Sequence, residues 1–334
     1  MQKDVCVSNN NCIKFVDLFC GIGGFRIGLT RMGYECVFSC DIDKGCRDVY
    51  NWNFFEIPES DIKDVSAKDV PDHDLLCAGF PCQPFSISGK KKGFLDVRGS
   101  LFFEICRIIM EKNPKVVFLE NVKHLIHHDS GNTLNAIIYE LEGMGYNVSW
   151  KVLNATEFGL PQNRERVIII ASKGKAFDFE KVKLFNRTTL EEFLDKADNF
   201  EYLSPENYTL IENPKKQPSG LIFAGYRNKS IRKKGVRQGT EYLSRVHKQP
   251  NRIYSSNGVH PTLPSQESSG RFYILISDGR VRKLTINECY RIMGFPEDFI
   301  KANTVVEQYK QIGNSVCIPM IESISESIFD QFFI

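Results

Sequence analysis

The segment Gly79-Phe80-Pro81-Cys82-Gln83-Pro84-Phe85-Ser86 sets one cysteine between prolines at the end of an apolar run. A thiol placed there is held rigid and faces a crevice, which suits a nucleophile. A second run, Phe118-Leu119-Glu120-Asn121-Val122, delivers a carboxyl group in the same way. Together they suggest covalent chemistry on a ring that also needs a proton donor. A free thiol is mostly protonated at neutral pH, so the site calls for a nearby positive charge. Arg164 and Arg166 in Gln162-Asn163-Arg164-Glu165-Arg166 are the candidates, with a surface ion-pair cluster as the other reading of that spacing. A third signal, Asp17-Leu18-Phe19-Cys20-Gly21-Ile22-Gly23-Gly24, is a glycine turn after a strand, where a cofactor can approach the backbone and meet a helix amino terminus. It lacks the later glycine of the dinucleotide fingerprint. Asp41 suits the ribose hydroxyls of any nucleoside, that of NAD included.

These residues need a scaffold, and the apolar patterning supplies one. Ile13–Phe19, Tyr34–Cys40, Asp74–Gly79 and Lys115–Glu120 read as strands, the last three ending at Asp41, at the Pro-Cys turn and at Glu120. Leu101, Phe102, Ile105, Ile108 and Ile109 follow helical spacing closed by Pro114, and Leu134–Met144 repeats it. Asn147–Leu153 and Val167–Ala171 read as antiparallel strands at the sheet edge. Strand-helix alternation implies an α/β fold, a mostly parallel, doubly wound, Rossmann-like sheet whose ligands bind outside the carboxyl ends of its strands. Phe19, Asp41, Cys82 and Glu120 all fall at those ends. After about residue 185 the alternation stops, and a smaller, irregular, strand-rich domain is expected over 186–303, with 1–185 and 304–334 forming the first domain. The stripe Ile318, Ile321, Ile324, Ile328 and Phe332 is expected to pack back on that first domain.

Of 334 residues, 42% are hydrophobic and 25% charged, which excludes disordered, collagen-like and coiled-coil classes. No apolar run spans a bilayer, and the polar first residues argue against a signal peptide, so the expected location is the cytoplasm. The eleven cysteines show no zinc-ligand spacing, and no metal is expected; Cys20, Cys40, Cys77, Cys106, Cys289 and Cys317 read as core thiols. The net charge of +2 conceals an asymmetry: residues 214–283 carry fifteen Lys or Arg against Glu241, Glu267 and Asp278. A segment so basic, interleaved with aromatic residues, reads as a surface for nucleic acid.

The ordered motifs resemble those of the bacterial C5-cytosine DNA methyltransferases of restriction-modification type. The resemblance runs through F-x-G-x-G-G at Phe19–Gly24, G-F-P-C-Q-P-F-S at Gly79–Ser86 and E-N-V at Glu120–Val122. It continues in Q-x-R-x-R at Gln162–Arg166, R-x-L-T-x-x-E-C-x-R-x-M-G-F-P at Arg282–Pro296 and G-N-S-V at Gly313–Val316. Cys20 departs from an alanine often found in the first.

The resemblance implies S-adenosylmethionine as cofactor, with Phe19 stacking on the adenine, Asp41 on the ribose, and Asp61 with Ile62 at the adenine edge. Gly21, Ile22, Gly23, Gly24, Ile42, Gly79, Pro81, Leu101, Asn314, Ser315 and Val316 complete the implied cofactor site. It also implies that Cys82 attacks C6 of a cytosine flipped from the duplex, that Glu120 supports N3 and the amino group, and that Arg164 and Arg166 assist. Donation by Glu120 requires that burial raise its pKa. The segment from Ser86 to Arg98, with Lys90, Lys91 and Lys92, is expected to be a mobile lid that grips phosphates, and Gln83 to contact DNA. Arg227, Arg232, Lys233, Lys234, Arg237, Arg245, Arg252 and the Thr262-Leu263 pair would belong to target recognition. Implied partners are double-stranded DNA and a cognate restriction endonuclease, with the enzyme a monomer. Three competing readings are an RNA-directed relative, for which Pro-Pro-Cys is more typical than Phe80-Pro81-Cys82, a silent DNA-binding homologue, and an NAD oxidoreductase.

Overall fold

The computed structural model describes residues 12–81, 101–196, 200–228, 251–265 and 272–334. The chain divides into two compact units. One comprises the residues up to Leu153, Glu165–Leu184 and Ser315–Ile334; the other comprises Asn154–Arg164 and Phe185–Asn314.

The first unit is built on a six-stranded sheet: β1 (Lys14–Leu18), β2 (Glu35–Cys40), β3 (Leu75–Gly79), β4 (Val116–Val122), β5 (Asn147–Asn154) and β7 (Glu165–Ser172), in the order β2-β1-β3-β4-β7-β5. The first four strands run parallel, as their continuous apolar stretches require of strands covered on both faces. On one face Val16, Leu18, Leu76, Ala78, Val117 and Leu119 meet Phe102, Ile105 and Ile109 of α3 (Leu101–Lys112) and Leu134, Ile137 and Leu141 of α4 (Asn132–Gly143). On the other, Phe118 takes Phe25 of α1 (Gly24–Arg31) edge-on at 5.1 Å. Packed on α1 is the carboxyl-terminal α7 (Ile318–Phe332), whose expected apolar stripe is buried throughout. A Cβ on Gly28 would come within 2.8 Å of Ile321, so the glycine permits that close helix contact. The six expected core thiols are all buried.

Around β4 the sheet differs from the sequence expectation. β4 continues past Glu120 to Val122 because antiparallel β7 pairs with it up to Val122 opposite Arg166. β7 therefore lies inside the sheet, and β5 alone is the outer strand on that side.

The second unit holds a five-stranded sheet ordered β13-β12-β10-β9-β8, from β8 (Tyr208–Leu210), β9 (Phe223–Arg227), β10 (Arg252–Ser255), β12 (Tyr273–Leu275) and β13 (Val281–Lys283). A short parallel pair joins β6 (Gln162–Asn163) to β11 (His260–Pro261). Two helices follow, α5 (Ile286–Arg291) and α6 (Val305–Asn314). Thr285 caps α5 by accepting from the Glu288 amide at 3.1 Å, while Glu288 accepts from the Thr285 amide at 2.7 Å. Glu288 also takes both terminal nitrogens of Arg282, at 2.7 and 2.8 Å, with both side chains almost wholly buried. Most of the R-x-L-T-x-x-E spacing thus serves one bidentate pair and one helix cap.

Among the described residues, no helix is long and apolar enough to cross a membrane, and no group of His, Cys, Asp and Glu is arranged to hold a metal ion.

Candidate active site

The site begins where β3 and β4 run side by side, with Gly79 in register with Glu120. A Cβ built on Gly79 would lie 3.6 Å from Glu120 Oε2, 3.7 Å from the Phe25 ring and 3.9 Å from Val316 Cγ1. Four segments separated in the chain therefore converge on one strand end. Glu120 is buried there, and its Oε1 receives Arg166 Nε at 2.8 Å, each side chain retaining 11% exposure. Arg166 reaches it diagonally: it stands opposite Val122 in the antiparallel pair, on the same face as Glu120.

Asn121 has a role that the motif did not announce. Its Nδ2 donates to the Phe80 carbonyl at 2.8 Å, and its Oδ1 accepts from the Val122 amide at 2.9 Å. The side chain thereby ties β4 to the backbone two residues before Cys82. The signal available was a polar residue inside an apolar strand, where a buried amide must find partners. Cys82 itself, with Gln83, Ser86, Lys90, Lys91, Lys92 and Arg98, lies outside the described residues. Pro81 is exposed.

Arg164, expected to assist beside Arg166, takes backbone partners within the second unit. It is buried, with Nη1 donating to the Leu263 carbonyl at 3.1 Å and Nη2 to the Gly313 carbonyl at 2.9 Å. Gln162 adds to the same brace, accepting from the Leu263 amide at 3.0 Å, and Thr262 Oγ1 donates to the Asn163 carbonyl at 2.6 Å. Leu263, expected to meet DNA, is only 1% exposed and packed inside the second unit. Arg227 lies over the Tyr273 ring at 4.8 Å and Arg252 over Phe223 at 5.4 Å, both part-buried. Arg232, Lys233, Lys234, Arg237 and Arg245 lie outside the described residues.

The glycine turn after β1 is a cradle. Phe19, Gly21 and Gly23 all have positive φ, and a Cβ on Gly21 would meet nothing within 4 Å. A Cβ on Gly24 would be 2.7 Å from Val316 and 2.8 Å from Ser315 Oγ, so glycine there lets the G-N-S-V segment close on the turn. Gly23 caps α1 without any side-chain bond, so the positive end of the helix faces the turn. Asp41 accepts from the Gly21 amide and from the Asp43 amide, each at 2.8 Å; burial raises its pKa against the pull of those two donors.

The remaining expected cofactor residues are less uniform. Ile42 is exposed at 72%, whereas Ile62 and Ile22 are buried. Asp61 accepts from the Lys63 amide at 3.0 Å, and Arg107 holds the Ile62 carbonyl at 2.9 Å. Leu101 packs against the core at the start of α3, and Asn314 is exposed at the end of α6.

Asp17 went unremarked in the sequence except as part of the glycine motif. It is fully buried in β1, and burial pushes its pKa up to about 8 against the pull of the Arg26 guanidinium and backbone amide.

Comparison with known proteins gives this geometry a family. The profile described as C-5 cytosine-specific DNA methylase matches residues 13–330. The chain belongs to that family and is a DNA (cytosine-5-)-methyltransferase. Among its relatives are the Type II methyltransferase M.HhaI of Haemophilus parahaemolyticus, 41% identical over 95% of this chain and 94% of the relative, and M.HaeII of Haemophilus aegyptius, 40% identical over 95% and 93%. In fold the chain is similar to the crystal structure of the S. pombe Dnmt2 methyltransferase, with a TM-score of 0.67 at 20% identity, covering 95% of this chain and 99% of the other.

Proposed function

We propose that this enzyme methylates C5 of a cytosine swung out of duplex DNA, through a transient bond from Cys82 Sγ to C6. The observation that carries the proposal is the convergence at Gly79: the strand leading to Cys82 ends in register with Glu120, and Arg166 holds that acid. Thiolate addition to C6 pushes electron density toward N3 and C5, and Glu120 is placed on the strand next to the attacking loop to support N3 and the amino group. Arg166 orients Glu120. Asn121 fixes the Phe80 carbonyl and with it the root of the nucleophile loop. The target atoms are inaccessible in a stacked duplex, so base extrusion, at a cost of a few kcal/mol, precedes the attack.

The open cradle at Gly21, the amino terminus of α1 and the carboxyl of Asp41 fit S-adenosylmethionine, whose sulfonium supplies the methyl group when bound. Gly21, Gly23 and Gly24 would admit its methionine portion, Phe19 would stack on its adenine and Asp41 would take its ribose. We assign target reading to the second unit, including the basic stretch 229–250. The biological role we infer is protection of cytoplasmic DNA against a cognate restriction endonuclease, by a monomeric enzyme.

Bisulfite sequencing of plasmid recovered from expressing cells tests the reaction. The expected result is conversion-resistant cytosine at one short sequence, lost in Cys82→Ser while that variant still binds S-adenosylmethionine. Methylation retained by Cys82→Ser would refute the covalent step.

A further inference from the structure

Two arginines of the first unit direct their guanidinium groups at backbone carbonyls, and the reaction above gives neither a task. Arg47, in the first turn of α2 (Lys44–Phe54), folds back so that Nη1 donates to the Asp41 carbonyl at 2.7 Å and to the Ile42 carbonyl at 3.0 Å. A cation near the amino end of a helix works against the helix dipole, so these contacts have to offset that placement. Arg107 of α3 crosses to a segment 45 residues earlier: Nη2 donates to the Ile62 carbonyl at 2.9 Å, while Glu104 holds Nε at 2.8 Å. The two braced segments are themselves neighbours. The Asp41 amide donates to the Glu59 carbonyl and the Glu59 amide to the Ser39 carbonyl, each at 2.9 Å, so the chain leading to Asp61 and Ile62 runs as a short parallel bridge beside the end of β2. Beyond that bridge a turn closes, with the Asp64 amide on the Asp61 carbonyl at 2.9 Å and the Lys63 amide on Asp61 Oδ1 at 3.0 Å. Connecting segments of this kind are the mobile parts of a fold unless they are tied down. Here each is tied to a helix by a charged donor.

Resting on the reading that Asp41 takes the ribose and Asp61 with Ile62 the adenine edge of S-adenosylmethionine, we propose that Arg47 and Arg107 are positioning residues for the nucleoside half of that cofactor. The guanidinium groups act through the main chain, not on the ligand. Arg47 fixes the backbone that carries the ribose acid, and Arg107 fixes the backbone of the adenine edge, so the ligand meets two segments already in place and less conformational freedom is lost on binding. The adenosyl group is common to the methyl donor and to its demethylated product. Loss of either arginine therefore weakens both ligands alike, whereas a group acting on the sulfonium would affect the donor alone. The chemical step, carried by other residues, is untouched. A hydrogen bond from a charged donor is worth about ten- to a hundredfold in an equilibrium constant, and because the adjoining backbone bonds remain, about tenfold is expected for each arginine.

Titration calorimetry of the full-length wild type, Arg47→Met and Arg107→Met with S-adenosylmethionine and with S-adenosylhomocysteine, joined to methyl transfer to DNA at varied donor concentration, tests this. In each variant the Kd of both ligands and the KM of the donor are expected to rise about tenfold by a common factor, with kcat within about twofold of the wild type, the pattern of lost uniform binding. Arg47→Lys and Arg107→Lys, which keep a charged donor, are expected to fall between, and they carry the same comparison of donor with product if a methionine variant does not fold. Wild-type affinity in the methionine variants would overturn the proposal, as would a fall in kcat with Kd unmoved, or a loss confined to the donor. Failure of the wild type to bind either ligand would instead overturn the assignment of these segments to this cofactor, and the proposal with it.

Discussion

Replacing Arg166 with methionine removes the guanidinium from Glu120 while keeping a side chain of comparable length. The two groups meet at 2.8 Å with 11% exposure each, so little water reaches either once the partner is gone. With charge centres about 4 Å apart and an effective dielectric of about 20, the attraction is worth about 4 kcal/mol before desolvation. Breaking such a pair from one side strands a buried charge at about 3–5 kcal/mol. Arg166→Met should therefore lower unfolding stability by about 3 kcal/mol, and Glu120→Gln/Arg166→Met should recover most of that loss because no charge is left stranded. Methyl transfer behaves differently. Both single variants and the double variant should be slowed by at least about a hundredfold, since the acid or its orientation is missing in each. Urea denaturation paired with transfer of labelled methyl groups to DNA separates the two effects. If the double variant's loss of stability equals the sum of the single losses, the two side chains do not act as a pair and the reasoning fails.

Asn121→Ala should cost about 1–2 kcal/mol through the lost bond to the Phe80 carbonyl and should reduce turnover with cofactor affinity unchanged; equal loss of both, by calorimetry and kinetics, would contradict its place at the nucleophile loop. Gly24→Ala drives a methyl group into Ser315 and Val316, at about 1–3 kcal/mol, and should weaken cofactor binding in equilibrium dialysis; unchanged affinity would count against a cradle closed by that segment. Asp17 also predicts a pH dependence of stability. Burial raises its pKa from the ordinary 3.8 to about 8, so its contribution is favourable at low pH and is lost as pH rises toward 8. At 1.36 kcal/mol per pH unit the loss amounts to about 4 kcal/mol between pH 4 and pH 7. Asp17→Asn should flatten that slope in denaturation series, and parallel curves for the two proteins would refute it.

The parallel core was readable because strands covered on both faces must be apolar along their whole length: Leu75–Gly79 and Val116–Leu119 carry that pattern without interruption. The acid was legible for the same reason, as a charge at the end of such a run. What escaped was the division of labour inside a motif. Arg164 and Arg166 look equivalent two residues apart, yet one meets carbonyls of the second unit and the other meets Glu120. Neither residue type nor spacing records which partner a strand's neighbour will bring. Asn121 and the Arg282–Glu288 pair were hidden likewise, because their partners lie on other elements or in a helix cap. The sheet order of the second unit was also illegible: strands of three to five residues, such as Tyr208–Leu210 and Phe223–Arg227, are too short for a decisive alternation.

With target reading assigned to the second unit, as proposed above, the brace around Arg164 sets the terms on which that reading can be transplanted. A chimera that exchanges only residues 185–314 would leave Gln162, Asn163 and Arg164 behind, parting them from the Thr262, Leu263 and Gly313 groups they hold. That unit is discontinuous in the chain: the segment from Asn154 to Arg164 has to travel with the residues whose backbone it grips.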